Sequence, residues 1–123
     1  MKNNPVRWFE IYVQDMKRAK KFYEKVFAVK LAQLKNPGME MWAFPMEMKG
    51  AGCAGALVHL KGVPSGCGGT LVYFSSEDCA IEEARVAKAG GKIHKPKFSI
   101  GEYGFISLIE DTEGNLFGLH SLK

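Results

Sequence analysis

The strongest constraint on the fold of this 123-residue chain is an internal repeat of its predicted elements. Asp15 and Asp78 each separate a strand-like segment from a helix-like segment, and the two residues are 63 positions apart. Three further strand-like segments are predicted after each helix. Identity between the halves is slight, so the order of elements carries the prediction of two successive β-α-β-β-β modules.

The first module is predicted to cover about residues 6–60. Its opening segment, "VRWFEIYVQ", is rich in β-branched and aromatic residues, which favours a strand. Asp15 is a suitable N-cap, and the apolar residues after it recur at helical spacing. These residues are Met16, Ala19, Phe22, Tyr23, Val26 and Phe27. Two more strands are predicted in "MEMWAFPMEM", where Pro45 cannot donate a ladder hydrogen bond, and in "CAGALVHL".

The second module is predicted to cover about residues 70–121, after a connector at 61–69 that contains four glycines and a proline. Its helix, "CAIEEARVAKAGG", is expected to end at Gly90 and Gly91. The whole chain, 1–123, is therefore expected to be a single α+β domain. In that domain the two modules form a curved mixed sheet, shaped as a cup, with the helices outside. Such a concave face suits a small-molecule ligand.

Composition and charge exclude several other classes of protein. There is no apolar run of about 18 residues and no secretory signal pattern, so neither a membrane partner nor export is expected. Three cysteines at unrelated spacings, Cys53, Cys67 and Cys79, favour a cytoplasmic location. The net charge of +4 is concentrated in "KRAKKFYEK" without a nucleic-acid motif, so we interpret it as a solvated helix face.

Two long segments resemble a known family. "WFEIYVQDMKRAKKFYEKVFAVK" is similar to the opening of the vicinal oxygen chelate (glyoxalase/bleomycin resistance/dioxygenase) superfamily, and "GGKIHKPKFSIGEYGFISLIEDTEGNLFGL" is similar to its end. The resemblance covers about residues 6–120 and is nearest to the glyoxalase-related branch. It implies paired βαβββ modules that form a cup. Members of that superfamily include glyoxalase I, extradiol dioxygenases, methylmalonyl-CoA epimerase and bleomycin-binding resistance proteins.

The resemblance also implies where a metal would be held. The superfamily's enzymes bind one divalent ion through His, Glu or Gln on the first and last strands of each module. Carried over to this sequence, those positions are Trp8, Ala56, Leu71 and Gly118. None of these side chains can coordinate a metal, so no metal cofactor is expected. In "DTEGNLFGLHS", Asp111 and Gly114 are interpreted as a hairpin turn.

Side-chain alternation on the first strand selects the candidate ligand-binding residues. Trp8, Glu10 and Tyr12 are expected to face the cavity, and the apolar residues between them to pack beneath the helix. An inward carboxylate has a raised pKa unless it is paired, which suits a general base or a cation receptor. A salt bridge between Glu10 and a nearby Lys or Arg is the structural alternative.

Four further residues complete the predicted site: Trp42, His59, Tyr73 and His120. Three functions remain open at this point. The first is a metal-independent binder of a partly aromatic small molecule. The second is a lyase, isomerase or dioxygenase that uses Glu10 with His59 or His120. The third is an interaction module whose cup is filled by its own side chains. A homodimer is expected in each case, because exposed sheet edges gain from being covered.

Overall fold

The computed structural model describes residues 4–66, 68–112 and 114–123. It divides into two compact units. The N-terminal unit spans Trp8–Thr70, and the C-terminal unit combines Leu71–Lys123 with the residues before Trp8. Of the three cysteines, Cys67 lies outside the described residues.

The N-terminal unit is a mixed four-strand sheet with one helix, within the described residues. Its elements are β1 (Val6–Tyr12), α1 (Met16–Phe27), β2 (Ala32–Leu34), β3 (Glu40–Ala43) and β4 (Ala54–His59). The strand order is β2-β3-β4-β1; β1 and β4 are parallel, and the other pairs are antiparallel. The strand β2 is the third strand predicted after the helix of this module, but it was not located in the sequence, because three mostly exposed residues carry no pattern. As expected for a proline, Pro45 lies beyond the end of β3.

The helix α1 packs on one face of this sheet. Asp15 caps it, since Oδ1 of Asp15 accepts a hydrogen bond from the backbone N–H of Arg18 at 3.0 Å. Val13 and Met16 form a buried cluster with Leu31 and Leu57, against which Ile11 also packs. The predicted alternation is thereby confirmed for these residues: Ile11 and Val13 lie beneath the helix, and Trp8 and Tyr12 lie on the other face.

The C-terminal unit repeats this design. Its elements are β5 (Thr70–Ser75), α2 (Cys79–Val86), β6 (Lys92–Ser99), a 3-10 turn (Gly101–Tyr103), β7 (Phe105–Glu110) and β8 (Leu116–Ser121). The strand order is β5-β8-β7-β6; β5 and β8 are parallel, and the other pairs are antiparallel. The α+β class and the two βαβββ modules, each with a mixed sheet, are therefore confirmed.

The helix α2 is capped by Asp78, the counterpart of Asp15. Oδ1 of Asp78 accepts from the Ala80 N–H at 2.9 Å and from Nζ of Lys97 at 2.8 Å. The Lys97 bond and then the Ala80 bond hold the pKa of this carboxyl below its usual value. The helix ends at Val86, short of the predicted stop at Gly90. Gly91 serves packing instead, because a Cβ there would lie 2.7 Å from the Glu110 carbonyl oxygen.

Both units share the same central pairing of parallel strands. In the N-terminal unit Glu10 on β1 pairs with Ala56 on β4, and in the C-terminal unit Tyr73 on β5 pairs with Gly118 on β8. Glu10 and Tyr73 are 63 positions apart, the same offset as the two capping aspartates. Within the part of the chain that is described, neither α1 nor α2 has the length and apolar character that crossing a bilayer requires.

Replacing Ala28 by glycine is expected to stabilise the protein. Ala28 is the C-cap of α1. Its backbone has φ 52° and ψ 47°, a left-handed conformation that is unfavourable for a residue with a Cβ. We expect Ala28→Gly to raise the free energy of unfolding by about 1 kcal/mol, measured by urea denaturation. Ala87 is the control, because it ends α2 at φ −61°. There, Ala87→Gly should lower the same free energy by up to about 1 kcal/mol; equal effects at both positions would contradict the explanation.

Candidate functional site

The face of β1 opposite α1 carries a hydrogen-bonded group of three side chains. Nε1–H of Trp8 donates to Oε2 of Glu10 at 3.2 Å, and the Tyr12 hydroxyl donates to Oε1 of Glu10 at 2.8 Å. The three residues are spaced two apart on a strand, so their side chains emerge on one face. We call Trp8, Glu10 and Tyr12 the β1 carboxylate cluster. It brings together three of the residues that the sequence predicted for the site.

Small and apolar neighbours support this cluster. The Trp8 and Tyr12 rings pack against the buried residues Met41, Ala56 and Val58. The register places Ala56 beside Glu10, and Ala54 beside Trp8. Because alanine side chains end at Cβ, β4 leaves room for the carboxylate and the indole. The small residues of β4 therefore help to shape this face.

Burial dominates the electrostatics of Glu10, which is only 8% exposed. Desolvation raises the pKa of this carboxyl, and the hydrogen bonds from Tyr12 and Trp8 partly oppose that rise. Among the described residues the recorded ion pairs join Asp15 to Arg18 and Asp78 to Lys97, and none reaches Glu10. The structure therefore shows no salt bridge to Glu10 within the described residues.

The side chains at the inferred metal positions do not fit a divalent ion. The indole N–H of Trp8 is a donor already bonded to Glu10, and the other three positions offer no lone pair. At Gly118 there is also no room for a metal-coordinating side chain, because a Cβ would lie 2.3 Å from carbons of the Tyr73 ring. No group of three or more His, Cys, Asp or Glu side chains that could hold a metal occurs in the described ranges.

Two predicted site residues lie on the opposite face of their sheet. His59 pairs with Glu40, and Trp42 pairs with Leu57, which belongs to the cluster beneath α1. The inward placement of His59 is therefore wrong. Alternation explains the correction, since Ala56 lies beside Glu10 and His59 is an odd number of residues further along β4. Trp42 likewise packs on the helix side and does not join the β1 carboxylate cluster.

Trp42 has its own polar partners on that side. Its Nε1–H donates to Oε2 of Glu40 at 2.9 Å. Nζ of Lys20 on α1 lies 3.3 Å from the centroid of the Trp42 ring, which is a cation–π contact. This arrangement of one indole, one carboxylate and one ammonium group was not anticipated from the sequence, because Lys20 lies 22 positions from Trp42.

The C-terminal unit places Tyr73 and His120 on the face opposite α2. Leu119 packs beneath the helix with Cys79 and Ile109, so the neighbouring His120 lies on the other face. Nε2 of His120 is 2.7 Å from the Tyr103 carbonyl oxygen, and a carbonyl only accepts, so Nε2 carries the proton. Nδ1 of His120 is buried and has no hydrogen-bond partner among the described residues.

A surface depression of about 300 Å³ also occurs in the N-terminal unit. It lies at the start of α1 and is lined in part by Gln14, Arg18 and Ser65. Tyr12 reaches its edge, but neither Trp8 nor Glu10 lines it. Because its lining lacks the buried carboxylate, we place the candidate site at the β1 carboxylate cluster.

Comparison with known families gives one match over most of the chain. The model of the Glyoxalase/Bleomycin resistance protein/Dioxygenase superfamily matches residues 6–119. A protein named "Putative glyoxylase CFP32" from Mycobacterium bovis is 27% identical over 113 residues, which are 91% of this chain. Those residues are 43% of that relative, so the chain spans less than half the length of the curated relatives it matches.

Solved structures share the fold. Methylmalonyl-CoA epimerase from Mycobacterium tuberculosis matches with a TM-score of 0.69 at 16% identity, over 97% of this chain and 88% of that one. The hypothetical protein BH1468 from Bacillus halodurans matches with a TM-score of 0.74 at 14% identity, over 99% of this chain and 96% of that one. At these identities the likeness shows the fold alone.

Ionised Glu10 should cost the protein stability. Since the folded state raises the pKa of Glu10, the folded protein keeps this proton to higher pH than the unfolded chain does. The stability that the protonated Glu10 carboxyl contributes is fully present below the pKa of Glu10 in the unfolded chain. It is lost as pH rises through the pKa of Glu10 in the folded protein. We expect the wild type to lose stability relative to Glu10→Gln in that window, by at most about 1.4 kcal/mol per pH unit.

Urea denaturation of both proteins between pH 4 and pH 8 measures this difference. The control is Glu40→Gln, which removes a carboxylate that also accepts from an indole but is only half-buried. Its stability relative to wild type should change less with pH. A Glu10→Gln difference that is independent of pH throughout would refute the assigned burial cost.

Gly118→Ala should destabilise the protein, because the new methyl group would overlap the Tyr73 ring. We expect a loss of about 1–3 kcal/mol in the free energy of unfolding, as for other overpacked cores. Combining the change with Tyr73→Ala should make the two effects non-additive, since the ring that collides is then absent. Strict additivity in a double-mutant cycle would contradict the proposed contact.

Proposed function

The chain belongs to the Glyoxalase/Bleomycin resistance protein/Dioxygenase superfamily, and we propose that it binds a small, partly aromatic molecule at the β1 carboxylate cluster without the metal usual in that family. One observation carries the proposal. Two half-buried aromatic side chains, Trp8 and Tyr12, are both hydrogen-bonded to a buried carboxylate that has no ion-pair partner in the described residues.

The hydrogen bonds make this face suitable for recognition. A free tryptophan or tyrosine side chain loses rotamer freedom when a ligand orders it, and that loss weakens binding. Here Glu10 already holds the indole and the phenol in place, and Met41 and Val58 support them from behind. A flat, apolar group would then contact large rigid surfaces at little entropic cost.

Independence of a metal is supported by the chemistry of the inferred ligand positions. Trp8, Ala56, Leu71 and Gly118 provide no imidazole, carboxylate or amide oxygen. The Tyr73 ring occupies the space beside Gly118 that a metal-coordinating side chain at this position would need. We therefore propose that binding depends on contacts with the aromatic rings and on Glu10, and that it requires no metal ion.

A catalytic role for Glu10 is the second candidate. Its raised pKa would suit a general base, and one protein of similar fold is a methylmalonyl-CoA epimerase. His59 gives this candidate no support, because it lies on the opposite face of the sheet from Glu10. Turnover of a bound compound by the wild type, lost in Glu10→Gln while binding persists, would favour catalysis over simple binding.

A fragment screen tests the proposal. Aromatic compounds that raise the melting temperature should do so equally in EDTA and in added divalent ions. Trp8→Leu should weaken their binding by about tenfold or more, as expected when a stacking surface is removed. Trp42→Leu is the matched control, since Trp42 is also half-buried and bonded to a glutamate but faces α1.

Two outcomes would count against the proposal. Binding that appears only with a divalent ion would show that a metal takes part. Compounds that bind Trp8→Leu as tightly as the wild type would place the ligand elsewhere. In both variants, the folded state is checked by the dispersion of the amide spectrum before affinities are compared.

A further inference from the structure

We infer that the β1 carboxylate cluster recognises the positive charge of an organic cation, so that its ligand is an aromatic ammonium or amidinium compound. This inference rests on the proposed function and adds to it the charge of the ligand. It is carried by a second indole–carboxylate pair in the same unit, which holds an ammonium group of the chain itself.

That second pair is Trp42 with Glu40. In both pairs the two residues are two positions apart on one strand, and the indole Nε1–H donates to Oε2 of the glutamate. Over the Trp42 ring lies Nζ of Lys20, 3.3 Å from the centroid. The indole of this pair therefore carries an ammonium group on its ring face, while the ion pairs of the described residues do not include one between Lys20 and Glu40.

The first pair, Trp8 with Glu10, has no such partner of its own in the described residues. The recorded cation–π contacts there involve Trp42, Phe98 and Phe105, and the recorded ion pairs involve Asp15 and Asp78. Yet Glu10 is more deeply buried than Glu40. A buried carboxylate that lacks a cation is unfavourable, so a ligand that supplies one gains more here than at an exposed acid.

The hydrogen bonds around Glu10 favour a cationic ligand over an anionic one. Trp8 and Tyr12 each direct a donor to a different carboxylate oxygen, which stabilises the ionised form. A carboxylate accepts about four hydrogen bonds, so acceptor capacity remains on both oxygens. The ring faces of Trp8 and Tyr12 are also electronegative. An anion would meet unfavourable charge on each of these surfaces.

Burial also selects the kind of cation. A strongly hydrated ion would have to shed its water to reach a carboxylate as enclosed as Glu10, which is costly. Delocalised cations such as guanidinium or amidinium are more weakly hydrated and can stack on an aromatic ring. An aromatic amidinium therefore satisfies both the ring surfaces and the carboxylate.

Three probes of nearly the same shape test this inference: benzamidine, which is a cation at neutral pH, benzamide, which is neutral, and benzoate, which is an anion. Each is titrated into ¹⁵N-labelled protein while the two indole N–H resonances are followed, since the chain contains two tryptophans. Trp42→Phe assigns them. We expect benzamidine to move the Trp8 resonance and to bind about tenfold more tightly than benzamide.

Variants then identify the charge responsible. Glu10→Gln should lower the affinity for benzamidine to that for benzamide, whereas Glu40→Gln, the matched control, should leave the preference unchanged. If Glu10→Gln does not fold, the comparison of benzamidine with benzamide in the wild type still decides the matter, because it needs no variant.

The outcomes separate this inference from the function on which it rests. Equal affinity for benzamidine and benzamide at Trp8, or a preference for benzoate, would overturn the cation while leaving an aromatic site in place. A preference for benzamidine that survives Glu10→Gln would also overturn it. No response of the Trp8 resonance to any of the three probes would overturn the aromatic site together with the cation.

Discussion

The two hydrogen bonds that Trp8 and Tyr12 donate to Glu10 are the interaction on which the proposed site depends. A carboxylate that is 8% exposed would be strongly unfavourable without donors, and the strand supplies both from adjacent positions on the same face. The same bonds fix the orientation of two rings that would otherwise rotate. Stability and the proposed recognition therefore share one set of contacts, and a change to these contacts is expected to affect both.

Much of the fold follows from local patterns in the sequence. Asp15 and Asp78 are capping residues whose effect is confined to one turn of helix, so a short window identifies both helix starts. The alternation on β1 is equally local, and it correctly separates Ile11 and Val13 from Trp8. Elements without a strong local pattern were harder to predict: the three-residue β2 was missed, and α2 ends four residues before the glycine expected to stop it.

The candidate site was predictable only in part, because side-chain alternation gives the face on which a residue lies and not its hydrogen-bond partners. Glu10 could be assigned to a buried face from β1 alone, but its donors could be identified only once Trp8 and Tyr12 had been placed in three dimensions. His59 shows the opposite case. The inward placement of Ala56 would have been enough to assign His59 to the helix side, if the alternation had been continued along the whole of β4.

The contact between Tyr73 and Gly118 has a consequence for how such a chain can change over time. A histidine or glutamate at position 118 would collide with the ring unless Tyr73 were replaced first or together with it. A single substitution of Gly118 by a metal-coordinating residue would therefore destabilise the protein. Position 118 is therefore restricted to glycine for as long as the Tyr73 ring lies beside it.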